Sequence, residues 1–190
     1  MHRKINNEYF ITNRDGAIIV EFVFVILIIT IFIKTLISVA QYQSTVGKLD
    51  RISYSLAGIV RERDRLYENS NILTQSNVNQ LNILANNMLL ASGINNDNFE
   101  IMVETLHFNT STPEDKIIDN TKSASLGSET CLPTKPLREM VDLSPYGNRG
   151  RWIPLYQVTL CLPAPAWYQS LFRLTGTIPD IKSSAITIER

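Results

Sequence analysis

The sequence is short of most of what catalysis, metal binding and nucleic-acid binding draw on. Its 190 residues include 2 histidines, His2 and His107. Neither has a second histidine or a cysteine at ligand spacing, so no metal site is expected. His107, in Leu106-His107-Phe108, reads as a histidine at the end of a strand. The chain has no glycine-rich phosphate loop, no GxSxG elbow and no HExxH helix. An enzyme is therefore not expected, and neither is a cofactor. Charge of one sign is not in excess either, since 18 basic residues balance 18 acidic ones. That removes the basic face a nucleic-acid binder needs, and there is no acidic tail. There is no internal repeat, and the length allows one domain plus an anchor, not two ordinary domains.

What is present is concentrated near the N-terminus. From Ala17 to Ile33 the chain reads AIIVEFVFVILIITIFI, with Glu21 its single charge. Apolar character continues beyond Lys34 through Leu36, Ile37, Val39 and Ala40. At 1.5 Å per residue, a helix over 17–40 covers about 36 Å, enough to cross a hydrocarbon core of roughly 30 Å. Lys34, near the far end, has a stem long enough to carry its charge toward the headgroups. Arg3, Lys4 and Arg14 precede the segment, which puts the N-terminus in the cytoplasm by the positive-inside rule. Lys48 and Arg51 on the other side make that bias modest. Membrane lipid is thus an expected partner. The rest of the chain is exported, and in an oxidising compartment Cys131 and Cys161 read as one disulfide, with two buried thiols as the alternative.

An apolar helix of this kind has several meanings. A core helix fails on length and apolar density. A cleaved secretory signal has an acceptable site at Ser38-Val39-Ala40, although the apolar run is long for one. A plain anchor would rarely keep Glu21, because a carboxylate in the span costs on the order of 2.5–3.5 kcal/mol on insertion scales. The local sequence Arg14-Asp15-Gly16-Ala17-Ile18-Ile19-Val20-Glu21-Phe22 resembles the prepilin signature. That signature is a polar leader ending in glycine, then an apolar run with glutamate at its fifth residue. Glycine before the scissile bond leaves the backbone free to enter a protease cleft. In a stack of processed subunits, Glu21 of one chain can meet the Ala17 amine of its neighbour, so that two groups each costly in lipid compensate one another.

The resemblance extends beyond the leader. Glu21-Phe22 after Gly16-Ala17 resembles the TadE/TadF pseudopilins of the Flp, or tight-adherence, pilus. Arg151-Trp152-Ile153-Pro154-Leu155-Tyr156-Gln157-Val158-Thr159-Leu160-Cys161 resembles the LYxVTLC stretch of the TadF branch. Trp167-Tyr168, Leu171-Phe172 and Ser183-Ser184-Ala185-Ile186 fit the same branch, while roughly 95–150 matches no motif. The resemblance implies a minor, processed subunit needed to assemble a pilus that serves adherence and biofilm formation. It is anchored once in the inner membrane, with a periplasmic domain. The implied partners are a membrane prepilin peptidase, other pilins and pseudopilins, and the inner-membrane assembly platform. The rival is a single-pass membrane protein whose periplasmic domain binds a ligand or partner and whose N-terminus is not processed.

The domain organisation read from the pattern is a leader over 1–16, a transmembrane helix over 17–40 and a globular domain over 41–190. Leu49, Ile52, Leu56, Ile59, Arg63 and Leu66 form an amphipathic stripe, which predicts a helix over 41–68. Ser76 is a candidate cap for a second helix over 77–92 with Val78, Leu81, Leu84, Ala85 and Met88 inward, ending at Gly93. Strands are predicted near 98–108, 153–162 and 184–189, and a short helix over 165–174. Glu100 and Glu104 read as the solvated face of the first strand. Residues 109–150 read as a long irregular loop holding short elements or a functional surface. Trp152, Tyr156, Trp167 and Tyr168 are a possible binding surface, but aromatics at this density are more often core. Together these elements make an α+β fold with a small, antiparallel sheet.

Overall fold

The computed structural model describes residues 14–62, 72–95, 98–110, 115–163 and 180–189. The chain divides into two units, residues 1–44 and 45–190. Helix α1, Arg14–Arg61, runs through the first unit and into the second. Helix α2, Gln75–Ala91, follows. The strands are β1 (Glu100–Leu106), β2 (Ala124–Gly127), β3 (Tyr146–Gly147), β4 (Arg151–Trp152), β5 (Leu155–Leu162) and β6 (Ile181–Ile188). A 3-10 segment, Leu137–Leu143, lies between β2 and β3. The fold is α+β, as the sequence pattern implies.

The second unit is built on a four-stranded sheet in the order β2-β1-β5-β6, antiparallel throughout. β3 and β4 form a separate hairpin. Register places Ile101, Val103 and Thr105 of β1 beside Leu160, Val158 and Tyr156 of β5, all on one face. The two helices cover that face. α1 turns Leu49, Ile52, Ser53, Leu56, Ala57 and Val60 inward, and the Ser53 and Ser183 hydroxyls bond at 2.9 Å. α2 adds Val78, Leu81, Ala85 and Leu89. β1 and β5 are buried on both faces because they are the central strands. β6, at the edge, keeps Ile181, Ser183 and Ala185 in and Lys182 and Ser184 out.

Several expectations shift. The helical stripe of the second unit phases on Val60, and Ile59 is exposed. Heptad spacing advances 3.5 residues per turn where a straight helix needs 3.6, so the error grows along the helix. α1 ends at Arg61 and Glu62 lies in a turn, short of 68; Arg63 and Leu66 are outside the described residues. α2 is capped at Thr74, two residues before the expected Ser76. Thr74 is extended, and the Asn77 side chain accepts its backbone N–H at 3.1 Å. At the other end Ile94 N–H donates to Leu89 O at 2.9 Å and Gly93 N–H to Leu90 O at 3.0 Å. This is a Schellman closure, and Gly93 supplies the positive φ of 81° it requires. Leu84 is exposed and Met88 half-buried, while Leu89 takes the inward place. The expected helix over 165–174 lies outside the described residues.

Residues 115–150 fold onto the other face of the sheet by a few specific ties. β2 pairs with β1. Gly127, with φ 126°, sits where a Cβ would meet the Ile101 carbonyl oxygen at 2.2 Å, so no other residue fits without moving the strand. Cys131 and Cys161 are joined by a disulfide, Cα–Cα 5.6 Å, packed with Met102. The Cys131 sulfur lies 3.7 Å from Glu100 O and 3.8 Å from Thr159 O. These are contacts, since a bonded sulfur has no proton to donate. Leu137 enters a cluster with Leu106, Phe108 and Leu155.

Candidate functional site

The first unit contains the motif residues. Side chains from Ile18 through Ile37 are solvent-exposed and almost all apolar, so the helix has no polar face to turn outward. It is long and apolar enough to cross a membrane. The hydroxyls within it satisfy themselves. Thr30 donates to Ile26 O at 2.7 Å, Thr35 to Ile31 O at 2.9 Å and Ser38 to Lys34 O at 2.9 Å. Such back-bonding removes their cost in hydrocarbon. Glu21 has no equivalent, and among the described residues it has neither a hydrogen bond nor an ion pair. A helix places it on the same side as Ala17, one turn earlier. Phe22 is exposed beside it. Gly16 and Ala17 are already inside α1, which begins at Arg14.

The second unit holds the disulfide pair and a set of buried polar groups that the sequence pattern did not single out. Glu104 is a correction: it is buried, not solvated. Its carboxylate accepts the Leu137 N–H at 3.1 Å and the Ser125 hydroxyl at 3.3 Å. Glu100 is half-buried and accepts the Thr130 hydroxyl. Gln157, opposite Glu104 in the register, is buried and donates to Lys135 O at 3.3 Å. Lys116 donates to Ser144 O at 2.9 Å and lies 4.4 Å from the centre of the Trp152 ring. Trp152 in turn packs edge-on against Tyr146. Trp152 is therefore half-buried beneath a lysine and Tyr156 is buried, which makes both part of the packing. Trp167 and Tyr168 lie outside the described residues. A cavity of about 220 Å³ beside the β3–β4 hairpin contains Arg151 and Glu189, which pair at 3.6 Å.

His107 follows the last residue of β1 and is 3 % exposed. Its ring packs edge-on against Tyr156 at 5.8 Å. Burial, with the charges of Lys122 and Arg151 adding to it and Asp119 opposing, lowers its pKa to about 4. The unfolded chain titrates near 6.5, so between pH 6.5 and 4 it binds a proton that the folded domain refuses. Stability is complete above pH 6.5 and falls as pH drops toward 4, by on the order of 2–3 kcal/mol. Urea unfolding of the detergent-solubilised full chain checks this. His107→Phe is expected to flatten the slope between pH 6.5 and 4.5. An unchanged slope would assign it to other groups. Asp119, held below the usual carboxylate range by the Thr121 hydroxyl and N–H, loses its contribution only below about pH 4 and does not blur that window.

A family profile described as "Putative tight adherence pilin protein F" matches residues 9–190. That range covers the apolar helix and every described element of the second unit. No curated protein matches the chain, and no solved structure does.

Proposed function

Because the chain belongs to the TadF family of tight adherence pilin proteins, we propose that it is a minor pilin, or pseudopilin, required to assemble a Flp-type pilus used in adherence and biofilm formation. The observation that carries the proposal is Glu21, a carboxylate without a partner among the described residues, in an exposed apolar helix and five residues after Gly16. A membrane prepilin peptidase cuts between Gly16 and Ala17. Protease clefts take extended chain, so the first turn of α1 opens to be cut, and glycine there weakens the helix by about 1 kcal/mol relative to alanine. The freed Ala17 amine of one subunit then receives Glu21 of the next. Phe22 packs beside that contact.

The leader is cytoplasmic, the helix sits in the inner membrane and the disulfide-bonded domain is periplasmic. The subunit works with other pilins and pseudopilins and with the inner-membrane assembly platform. It carries out no reaction of its own and needs no metal or cofactor. Gly16→Val tests the processing step. It is expected to leave a precursor longer by the 16-residue leader, at more than nine-tenths of the protein, on a gel of membrane fractions. Mature-sized protein from that variant would contradict cleavage after Gly16.

A further inference from the structure

Where the first half of α2 passes the start of β1 and the end of β2, a cleft of about 180 Å³ opens to solvent. Its two walls differ in hydrogen-bonding character. The α2 wall carries three exposed carboxamides, Gln75, Asn79 and Asn82. Gln75 Nε2 donates to Asn79 Oδ1 at 3.2 Å, which leaves Asn79 Nδ2 as a donor with no partner among the described residues. Asn82 makes no hydrogen bond among the described residues and keeps both its N–H donors. The sheet wall carries Glu100 and Ser128, both half-buried. Thr130 gives its one hydroxyl proton to Glu100 Oε2, so in the 2.7 Å bond between Ser128 and Thr130 the Ser128 hydroxyl is the donor. Ser128 is left with lone pairs alone, and Glu100 Oε1 has no partner among the described residues. One wall therefore donates and the other accepts. Val78, Phe99 and Ile101 supply the carbon surface of the lining.

We propose that this cleft binds one uncharged pyranose ring of a glycan. A hydroxyl donates and accepts through a single atom, so a sugar hydroxyl can take an amide proton from one wall and give its own to the other. The C–H groups of the ring then meet Phe99, whose aromatic face is electron-rich. Other ligand classes fit less well. Glu100 is the single charge in the lining, so an anion meets a carboxylate and no cation. A metal ion would find one carboxylate and, across from it, the N–H groups of two amides. A peptide carries its N–H and C=O on separate atoms and is read along an extended groove or a sheet edge. Pockets for drug-sized ligands run to about 300–1,000 Å³; at about 180 Å³ this cleft takes a single ring. The proposed export of the domain brings it within reach of cell-envelope glycans. The inference rests on that reading for the supply of ligand only, not for the chemistry of the cleft.

The test uses the full chain with isotope-labelled asparagine in a polyoxyethylene detergent, because maltoside and glucoside detergents would compete for the cleft. The methyl glycosides of glucose, galactose, mannose and N-acetylglucosamine are titrated in turn, and side-chain amide signals are followed by NMR. At least one glycoside is expected to shift the signals of Asn79 and Asn82 and to leave those of Asn87 and Asn148, exposed outside the cleft, in place. Asn82→Ala and Ser128→Ala, read at Asn79, are each expected to weaken binding about tenfold, the loss when one hydrogen bond of a bound hydroxyl goes unmade. Asn87→Ala makes the same exchange on the same helix and is expected to leave the affinity unchanged. An unaltered urea midpoint shows that each variant is folded. The proposal is overturned if no glycoside moves the Asn79 and Asn82 signals, or if Asn87→Ala weakens binding as much as Asn82→Ala. Inorganic phosphate or calcium chloride moving those signals more than every glycoside would also overturn it, by naming a charged ligand. None of these outcomes bears on cleavage after Gly16, so the pilin assignment stands or falls separately.

Discussion

Glu21→Ala is expected to leave the protein in the membrane fraction and to reduce surface pili at least tenfold. The two halves of that result pull in opposite directions. Deleting the carboxylate removes a charge that costs on the order of 2.5–3.5 kcal/mol in a lipid-facing helix, so insertion becomes easier. The hydroxyls of the same segment are already bonded to the backbone one turn earlier, so the charge left in residues 17–40 of the variant is Lys34, near the far end where its stem reaches the headgroups. A plain anchor would tolerate the change or benefit from it. A pilin-like subunit loses the counter-charge for its neighbour's Ala17 amine, which is then left unpaired in hydrocarbon, an outcome worse than losing both charges together. Membrane fractionation and sheared-pilus yield read the two halves. Wild-type pili from the alanine variant would remove Glu21 from assembly.

Cys131→Ala with Cys161→Ala is expected to destabilise the second unit by about 3–4 kcal/mol, the chain-entropy value for a loop of about 30 residues. The structure shows why the effect does not spread evenly. One end of the bond is on β5, a central strand buried on both faces. The other is in the segment that follows β2 and leads to the 3-10 turn. Without the bond that segment keeps the Leu137–Glu104 and Lys135–Gln157 hydrogen bonds, each worth about 1 kcal/mol net. The 128–143 stretch is therefore the first part expected to gain hydrogen exchange and protease cleavage. Urea unfolding of the full chain in detergent measures the total. A loss below 1 kcal/mol would mean that the polar ties hold the segment without the bond. Thiol alkylation of the native protein without reductant is expected to label neither cysteine.

The parts of this fold legible in the sequence are those with a short period. Tyr156, Val158 and Leu160 alternate with Leu155, Gln157, Thr159 and Cys161, and β5 follows. The apolar run makes α1 unmistakable. The stripe beyond the membrane was readable in kind but not in phase, because Ile59 and Val60 are both apolar and only the mean helical turn tells them apart. Thr74 and Ser76 are both acceptable caps, and Asn77 decides between them by reaching back to Thr74. Glu104 was beyond reach. Alternation marks it as outward, and so it is, but the outward face is covered by a segment held through a disulfide and contacts far apart in sequence. The same reason hides residues 115–150, whose order comes from Cys131, Lys116 and Leu137 rather than from local propensity. Of the motif residues, Cys131 and Cys161 are brought together, while Gly16, Ala17, Glu21 and Phe22 lie along one helix, and the contacts proposed for them are with other chains.

N-terminal sequencing of the mature protein, purified from membranes of cells with the complete assembly system, tests the central claim most directly. The account predicts a single N-terminus at Ala17, with Met1–Gly16 absent from the purified chain. A chain that starts at Met1 would make the helix an unprocessed anchor, and one that starts at Gln41 would make it a secretory signal. Either result would contradict the assignment of this protein as a processed pilin.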